Sequence, residues 1–344
     1  MKKATLHLEF VHKNLPSIGL LLESAAQELS PETYLDTVVK LFPTVGGLLP
    51  SSFATQALAV SVMRYIHHGR QAFEIGPRLQ EMLSATSLRG IDFEDLRLPY
   101  DAFYLALRDC PWKLWGGSSG WHRIDGVYVS VEEDGRILFA CWGRPHGTDH
   151  GDDAIRWWRI DMKNAVADFE DLEHYLQQLL TDTKKHLVEV TGMDDPEVER
   201  ETLQTSAGVV RVVFNLAQYL SSAGAETSKR VDRTRTRQRA RIEKKLQKAK
   251  NERVRLSLLE RLDHLPVPSI VTVVGASIDR EPSNSPEKGP RSAVKRHWVR
   301  GHWRDVPYGP RSVPLSERPR RRTWLQPFLR GEGDDPGARK YKVK

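Results

Sequence analysis

The sequence predicts an α+β fold with a helical N-terminal part, a tryptophan-rich antiparallel sheet, a helical bundle with a long basic helix, and a small β-rich C-terminal module. Apolar residues recur at helical spacing in residues 1–90 and 168–222, whereas they alternate in residues 100–162. Charge is the third observation, because residues 229–344 hold 31 Lys and Arg against 13 Asp and Glu, a net charge of +18. The whole chain carries +7, so residues 1–228 carry −11.

These patterns divide the chain into five predicted parts. They are an acidic α+β body (1–228), a basic helix plus buried strand (229–280), a linker (281–290), a basic aromatic module (291–331) and a disordered tail (332–344). A hydrophobic fraction of 39% provides for a folded core in the body. The proline, serine and glycine content of the linker favours a flexible connection.

Four helices are predicted in the first 90 residues. They lie at 17–29, at 32–42, from Ser51 or Ser52 to His67, and at 71–85. Ser30 can cap the second helix, with Pro31 at its first position. In the third helix, Leu58, Val62 and Ile66 fall on one apolar stripe.

An antiparallel sheet follows over 100–162. Its strands are predicted at 102–107, 126–131, 136–142 and 154–162. The turn Glu133-Asp134-Gly135 joins the middle pair, because Asp-Gly is a strong hairpin signal. Six of the nine tryptophans lie within residues 112–158, and we expect most of them to pack on a face of this sheet.

Helices return at 168–187 and 195–222, and the second is apolar enough over 209–220 to be buried. A long basic helix is expected over 229–262. Its narrow apolar edge consists of Leu246, Ala249, Arg253, Leu256, Leu259 and Leu262. The apolar run 269–278 fits a buried strand.

Positive charge is concentrated in two segments: 229–255 has 13 basic and 3 acidic residues, and 291–330 has 11 and 2. Cations along one face neutralise phosphates and release counterions, so the sequence predicts a polyanion-binding surface. The predicted nucleic-acid-binding residues are Arg233, Arg235, Arg237, Arg239, Arg241, Lys244, Lys245, Lys248, Arg296, Arg300, Arg304, Arg320, Arg321 and Arg322. Two alternatives stay open: a solvated helix docked by its apolar edge, or cations paired with the chain's own acidic half.

The basic aromatic module reads as a strand over 294–304, with Trp298 and Arg300 on one face and a bulge or turn at Gly301. Exposed tryptophans beside arginines could stack bases or grip a peptide. The predicted partner-binding residues are Trp298, His302, Trp303 and Trp324. The alternative is that Trp298, Trp303, Trp324 and Phe328 form the core of a small domain.

The sequence does not support several classes of structural or functional site. Cys110 and Cys141 are too few and too far apart for a disulfide framework or a zinc ribbon, which indicates a reducing compartment and burial in the core. We expect no signal peptide, because Glu9, His12 and Lys13 interrupt the apolar run that should follow Lys2 and Lys3. We expect no membrane contact and a cytoplasmic location, because prolines and charged residues interrupt the apolar stretch 35–66. No cofactor site and no catalytic residue is predicted.

Metal binding has two candidates. His297 and His302 fit neither helical nor strand spacing for a pair of ligands, so no metal site is predicted there. The run 145–153 holds two histidines and three aspartates, and it is the best candidate for a metal-dependent nuclease.

The C-terminal module carries a family resemblance. The strings VKRHWVRGHWRDVPYGP at 294–310 and RRRTWLQPFLRG at 320–331 resemble the tail of phage and plasmid proteins of the type V-A anti-CRISPR family that act on synthesis of the effector nuclease. The resemblance implies recognition of the effector's nascent N-terminal polypeptide, followed by loss of its mRNA, in the cytoplasm of a bacterial host. RNA or the ribosome is then an expected partner. The resemblance assigns no catalytic residue to this chain and does not predict its oligomeric state.

Three functions follow from the sequence: a regulatory protein of the anti-CRISPR type, a general RNA- or DNA-binding protein of a phage or plasmid, and a metal-dependent nuclease.

Overall fold

A computed structural model gives the structure of the chain. It describes residues 6–45, 53–91, 93, 96–107, 109–115, 120–144, 154–162, 172–191, 195–222, 224–231, 233–263, 265, 267, 269–278, 297–299, 302–310, 312–325 and 328–330. The predicted linker 281–290 and the predicted tail 332–344 lie outside these residues.

Helices and strands intermix along the chain. The helices are α1 (His7–Asn14), α2 (Pro16–Glu28), α3 (Tyr34–Val45), α4 (Phe53–His67), α5 (Pro77–Ala85), α6 (Leu172–Thr191), α7 (Pro196–Ser221), α8 (Arg233–Lys248) and α9 (Glu252–Asp263). The strands are β1 (Gln71–Ile75), β2 (Ala102–Leu107), β3 (Lys113–Trp115), β4 (Trp121–Val131), β5 (Arg136–Arg144), β6 (Ala154–Asp161), β7 (Thr227–Val231), β8 (Ile270–Val274), β9 (His297–Val299), β10 (His302–Pro307), β11 (Arg320–Leu325) and β12 (Phe328–Arg330). The predicted α+β class is confirmed.

The chain forms two compact units, each assembled from separate stretches of sequence. The first comprises Met1–Ile75, Tyr100–Asp161 and Thr227–Val274. The second comprises Gly76–Pro99, Met162–Glu226 and Gly275–Lys344.

Within the described residues, the first unit is built on an eight-stranded mixed sheet in the order β6-β5-β4-β2-β1-β8-β7, with β3 paired to β4. The predicted antiparallel strands are β2, β4, β5 and β6, and all four are confirmed. Strand β1 pairs in parallel with β2 and with β8. The predicted buried strand at 269–278 is therefore confirmed as β8.

The predicted helix at 71–85 is wrong for its first part. Residues Gln71–Ile75 form β1, and Ala72 through Ile75 are all buried, as expected of a strand covered on both faces. Only Pro77–Ala85 is helical, with the proline in the first turn, where its missing N–H costs nothing.

The β4–β5 hairpin forms at the predicted turn. Gly135 adopts φ +86°, a conformation that side chains with a Cβ rarely take. Its N–H donates to the Glu132 carbonyl oxygen at 2.8 Å, and the Glu132 N–H donates to the Arg136 carbonyl oxygen at 2.7 Å. The local sequence thus fixes the register of this pair.

The N-terminal helices cover one face of the sheet. Tyr34, Met63 and Tyr65 from these helices share a core with Tyr128 and Trp142 from the strands. Within the tryptophan-rich region the prediction holds for three residues: Trp142 is fully buried, Trp157 packs against this core, and Trp158 stacks on Phe139 at 5.5 Å.

The second unit contains helices α5, α6 and α7 together with strands β9–β12. Helix α7 begins after Asp195, whose Oδ1 accepts from the Glu197 N–H at 2.8 Å as an N-cap. Its apolar stretch 209–220 is buried apart from Arg211 and Leu220, which are half-buried, so the predicted buried helix is confirmed.

The single basic helix expected over 229–262 is wrong. Residues Thr227–Val231 form the edge strand β7, and the helical part breaks into α8 and α9. The break lies at Asn251, whose side-chain oxygen accepts from the Arg253 N–H at 2.9 Å and caps α9. The turn resets the helical phase, and Leu256, a member of the predicted apolar edge, is 58% exposed.

Two smaller predictions concern cysteine and membrane contact. Cys110 and Cys141 are buried free thiols, as expected, and burial raises the pKa of Cys110 to about 11. None of the described helices combines the length and apolar character needed to cross a membrane.

Candidate nucleic-acid interface

Helices α8 and α9 pack against each other as a hairpin in the first unit. Ile242 and Leu258 are buried, and Leu246 and Leu262 are half-buried. On α8, Arg239, Ile242 and Leu246 recur at helical spacing and define its inner side.

The opposite side of α8 presents a row of cations to solvent. The exposed residues of this row are Arg237, Arg241, Lys244, Lys245 and Lys248. No carboxylate of a described residue forms an ion pair with any of them. Their charge is therefore available to a polyanion, whose phosphates can replace bound counterions. We call these five residues the α8 cation row.

Arg239 does not belong to this row. Its guanidinium is half-buried and donates to the carbonyl oxygens of Leu262 at 3.3 Å and Leu265 at 2.5 Å. These carbonyls lie at and beyond the C-terminal end of α9, where a cation is favourable. Arg239 therefore stabilises the hairpin, and the nucleic-acid-binding role predicted for it stays a prediction.

Strands β10 and β11 form an antiparallel ribbon in the second unit. Trp303 lies opposite Trp324, and the two rings stack with centroids 6.2 Å apart. Trp324 is 8% exposed and meets Tyr219 of α7 edge-on at 5.5 Å. The indole N–H of Trp303 donates to Asn215 Oδ1 at 2.9 Å, and that of Trp324 donates to Thr86 Oγ1 at 3.2 Å.

These contacts bear on the two interpretations of the tryptophans for this pair. Trp303 and Trp324 attach the ribbon to α7 and to the turn after α5, so they belong to the packing of the second unit. These contacts give both tryptophans a structural role, and the partner-binding role predicted for them stays a prediction. His302 lies on the other face of the ribbon and is exposed, so its role stays a prediction.

The outer face of the ribbon carries two of the predicted cations. Arg304 and Arg321 alternate with the inward tryptophans, and both are exposed. The Arg321 guanidinium lies over the ring of Tyr308 at 5.8 Å, and that tyrosine is 50% exposed. An arginine stacked on an open aromatic ring is a feature that single-stranded RNA can use.

The remaining arginines of β11 differ in their surroundings. Arg320 is exposed, whereas Arg322 pairs with Asp305 across the ribbon at 3.2 Å. A cleft of about 260 Å³ adjoins Arg321 and Arg322 at the C-terminal end of α7. The Asp305 carboxylate compensates Arg322, so Arg304 and Arg321 are the charges on the outer face of this ribbon, whereas the exposed Arg320 lies on the face that carries the tryptophans.

Several residues of the predicted sites are not among those that the structure describes. Arg296, Arg300 and the candidate metal loop at 145–153 are not among the described residues. Neither are the side chains of Arg233, Arg235 and Trp298, although their backbones lie in α8 and β9. In the part of the chain that is described, no group of three His, Cys, Asp or Glu residues could hold a metal ion.

Sequence reasoning missed three features of these surfaces. Lys250, Arg253 and Arg255 lie in the positive segment 229–255 and are exposed, but they were not among the predicted binding residues. Arg230 pairs with the buried Glu74 of β1. Asn215 and Thr86 accept hydrogen bonds from the indole N–H groups of the tryptophans, and no pattern in the sequence around them predicts this role.

Comparison with known proteins adds the family. A family model described as "AcrVA2-like: Anti-CRISPR type V subtype A2 family" matches residues 73–331, about three quarters of the chain. The chain belongs to the type V subtype A2 anti-CRISPR family. The match covers strands β2–β8 of the first unit, the α8–α9 hairpin and most of the second unit, so the resemblance of the C-terminal module is confirmed and extends far beyond it.

This AcrVA2-like chain was also compared with solved structures and with curated proteins. A structure titled "Crystal structure of AcrVA2" is similar to it with a TM-score of 0.41 and 10% sequence identity, over 93% of this chain and 96% of that chain. A search of curated proteins found no match.

Proposed function

We propose that this protein lowers production of a type V-A CRISPR effector by recognising the effector's nascent N-terminal polypeptide and triggering degradation of its mRNA. Family membership supports the anti-CRISPR part of the proposal. The observation that carries the RNA-directed part is the α8 cation row, five exposed charges with no ion-pair partner among the described residues.

Action at a translating ribosome would account for the exposed positive charge of the α8 cation row. A translating ribosome and its message present dense phosphate, and a cationic surface associates with phosphate without reading sequence. Sequence selectivity then comes from the polypeptide, which only one message encodes. Residues 1–228, with their net charge of −11, are free of the general attraction to RNA and suit the task of holding the polypeptide.

The experiment is co-purification from bacterial cells that translate the effector, with sequencing of the captured RNA and nascent chains. The proposal expects enrichment of effector mRNA together with effector N-terminal polypeptides. When puromycin releases the chains, the mRNA should be lost while the released polypeptides stay bound to the protein. Capture of effector mRNA that survives puromycin would contradict recognition through the polypeptide.

A general RNA- or DNA-binding function is the second candidate, since the same cation row favours it. Such binding depends on salt and ignores the encoded protein, whereas recognition of a polypeptide in a pocket tolerates salt better. Capture of all cellular messages in proportion to their abundance would favour this second function.

A further inference from the structure

Helices α6 and α7 enclose a cleft in the second unit. Its volume is about 240 Å³. Leu180, Leu203 and Ala207 supply apolar lining, and Gln177 and Gln204 supply amides. Thr181 and Arg200 complete the lining. On α7 the lining residues follow the spacing i, i+3, i+4, i+7, so they form one stripe along the helix.

A charged contact lies at one end of this stripe. Arg211, one helical turn beyond Ala207, pairs with Glu173, one turn before Gln177. The Glu173 carboxylate also accepts from the Leu88 N–H at 3.0 Å and from Gln177 Nε2 at 3.4 Å. The Arg211–Glu173 pair joins the two helices at this end of the cleft, and the bond from Leu88 further fixes the position of the Glu173 carboxylate.

Size and lining define the class of ligand. Sites for drug-sized molecules occupy about 300–1,000 Å³, so this cleft is suited to one bulky side chain. Two amides and a hydroxyl beside an apolar lining match the needs of a polypeptide, whose backbone both donates and accepts hydrogen bonds. Leu203 is half-buried and Gln204 is exposed, so the lining is reachable from solvent.

The charge around the cleft further restricts the class of ligand that it can bind. Helices α6 and α7 contain six carboxylates, those of Glu173, Asp182, Glu189, Glu197, Glu199 and Glu201, against four cations, those of Lys184, Lys185, Arg200 and Arg211, a net charge of −2. Arg200 lies 3.6 Å from the Glu201 carboxylate. A segment with a positive charge close to its apolar side chain complements these surroundings, whereas RNA would be repelled.

We propose that the α6–α7 cleft anchors one bulky apolar side chain of an extended polypeptide that carries a positive charge nearby. This inference rests on the proposed function, in which the polypeptide is the N-terminal segment of the effector. It adds the place of contact and the kind of residue that is read.

The test measures the affinity of the full-length protein for a synthetic peptide that spans the effector's N-terminal segment, by fluorescence anisotropy. Leu203→Lys places a charge in the apolar lining of the cleft. Gln204→Arg places a charge at its rim, and because Gln204 is exposed this variant should fold normally. We expect each to weaken binding about tenfold or more. Gln178→Arg is the matched control, because Gln178 is exposed and does not line the cleft.

The outcomes separate the two proposals. Weaker binding by Leu203→Lys and Gln204→Arg, with Gln178→Arg unchanged, supports the cleft. Tight peptide binding by all three variants overturns the cleft and leaves the proposed function standing. Failure of the unmodified protein to bind the peptide overturns recognition of the polypeptide, and the cleft inference with it. Melting curves identify any loss that comes from unfolding of Leu203→Lys, in which case Gln204→Arg decides.

Discussion

Asn215 is the residue that connects three segments of the second unit. Its Nδ2 donates to the carbonyl oxygens of Leu83 at 2.9 Å and Thr86 at 3.0 Å, while its Oδ1 accepts from the Trp303 indole. The side chain is fully buried within an apolar stretch of α7. An amide at this position is needed because it both donates and accepts, which no apolar residue can do.

We expect Asn215→Ala to lower the free energy of unfolding by about 3 kcal/mol, because two carbonyls and one indole N–H lose their buried partner. Urea denaturation measures the change. Gln178→Ala is the control, since this exposed amide bonds only Asp182 among the described residues and should change stability by less than about 0.5 kcal/mol. A stable Asn215→Ala variant would contradict the role given to this residue.

Glu173 gives the second unit a dependence on pH. Burial works to raise the pKa of its carboxyl, but the hydrogen bond and charge of Arg211, with the Leu88 amide, hold the pKa below its ordinary value of 4.5. A lowered pKa contributes stability that is present above pH 4.5 and is lost as the pH falls through the folded-state pKa.

At neutral pH, Glu173→Gln should therefore be less stable than the unmodified protein by about 2 kcal/mol. The difference should shrink as the pH is taken below 4.5, because the glutamate becomes protonated and resembles the amide. Denaturation at a series of pH values provides the comparison. A difference that stays constant down to about pH 3 would show that the charge of Glu173 does not matter.

Residue roles were the least predictable part of the molecule. The sequence identified Trp303, Trp324 and the arginines of 320–322 as notable, but their acceptors and ion partners decide what they do. Asn215 and Thr86 lie 88 and 238 positions from the indoles that they bind, and no local pattern announces such a pairing.

At the scale of elements, the α8–α9 hairpin separates inward from outward cations. Replacing the α8 cation row with glutamine should reduce RNA binding and flatten its salt dependence. For single-stranded RNA, the slope of log K against log salt falls by about 0.7 for each phosphate that the protein no longer neutralises, so the five substitutions together should change it by about 3.5. Filter binding over a series of salt concentrations measures the slope.

Arg239→Gln is the matched control for the cation row. It removes a charge from the same helix, but from the inner side, where the guanidinium bonds the end of α9. This variant should destabilise the hairpin and leave the salt slope unchanged in the folded protein. An equal effect on the slope would mean that the inward and outward cations are not distinct.

Elements with strong local signals are predictable from the sequence, and those that depend on distant partners are not. The β4–β5 hairpin rests on neighbouring residues and was predicted, whereas the predicted cap Ser30 makes no side-chain cap hydrogen bond. The segment that forms strand β1 is predicted as a helix because its parallel partners β2 and β8 lie far along the chain. The break between α8 and α9 went unpredicted although Asn251 is a residue type that caps helices, because the basic segment 229–255 continues across it.

At the scale of the whole molecule, the sequence predicted the α+β class from patterns spread over many residues, and it predicted the family from two short strings at 294–310 and 320–331. The charge asymmetry also appears in the structure, although part of the positive charge is used internally. Arg230, Arg239 and Arg322 bond to the protein itself, whereas the α8 cation row and the outer face of the ribbon remain exposed.

The central claim is that the protein selects a message through the polypeptide it encodes. The most direct measurement is the level of a reporter mRNA that begins with the effector's N-terminal coding segment, with and without this protein. Two versions of the segment are compared, one recoded with synonymous codons and one shifted in frame with almost unchanged RNA. We predict that the protein depletes the recoded message and spares the shifted one, and the reverse result would contradict the account.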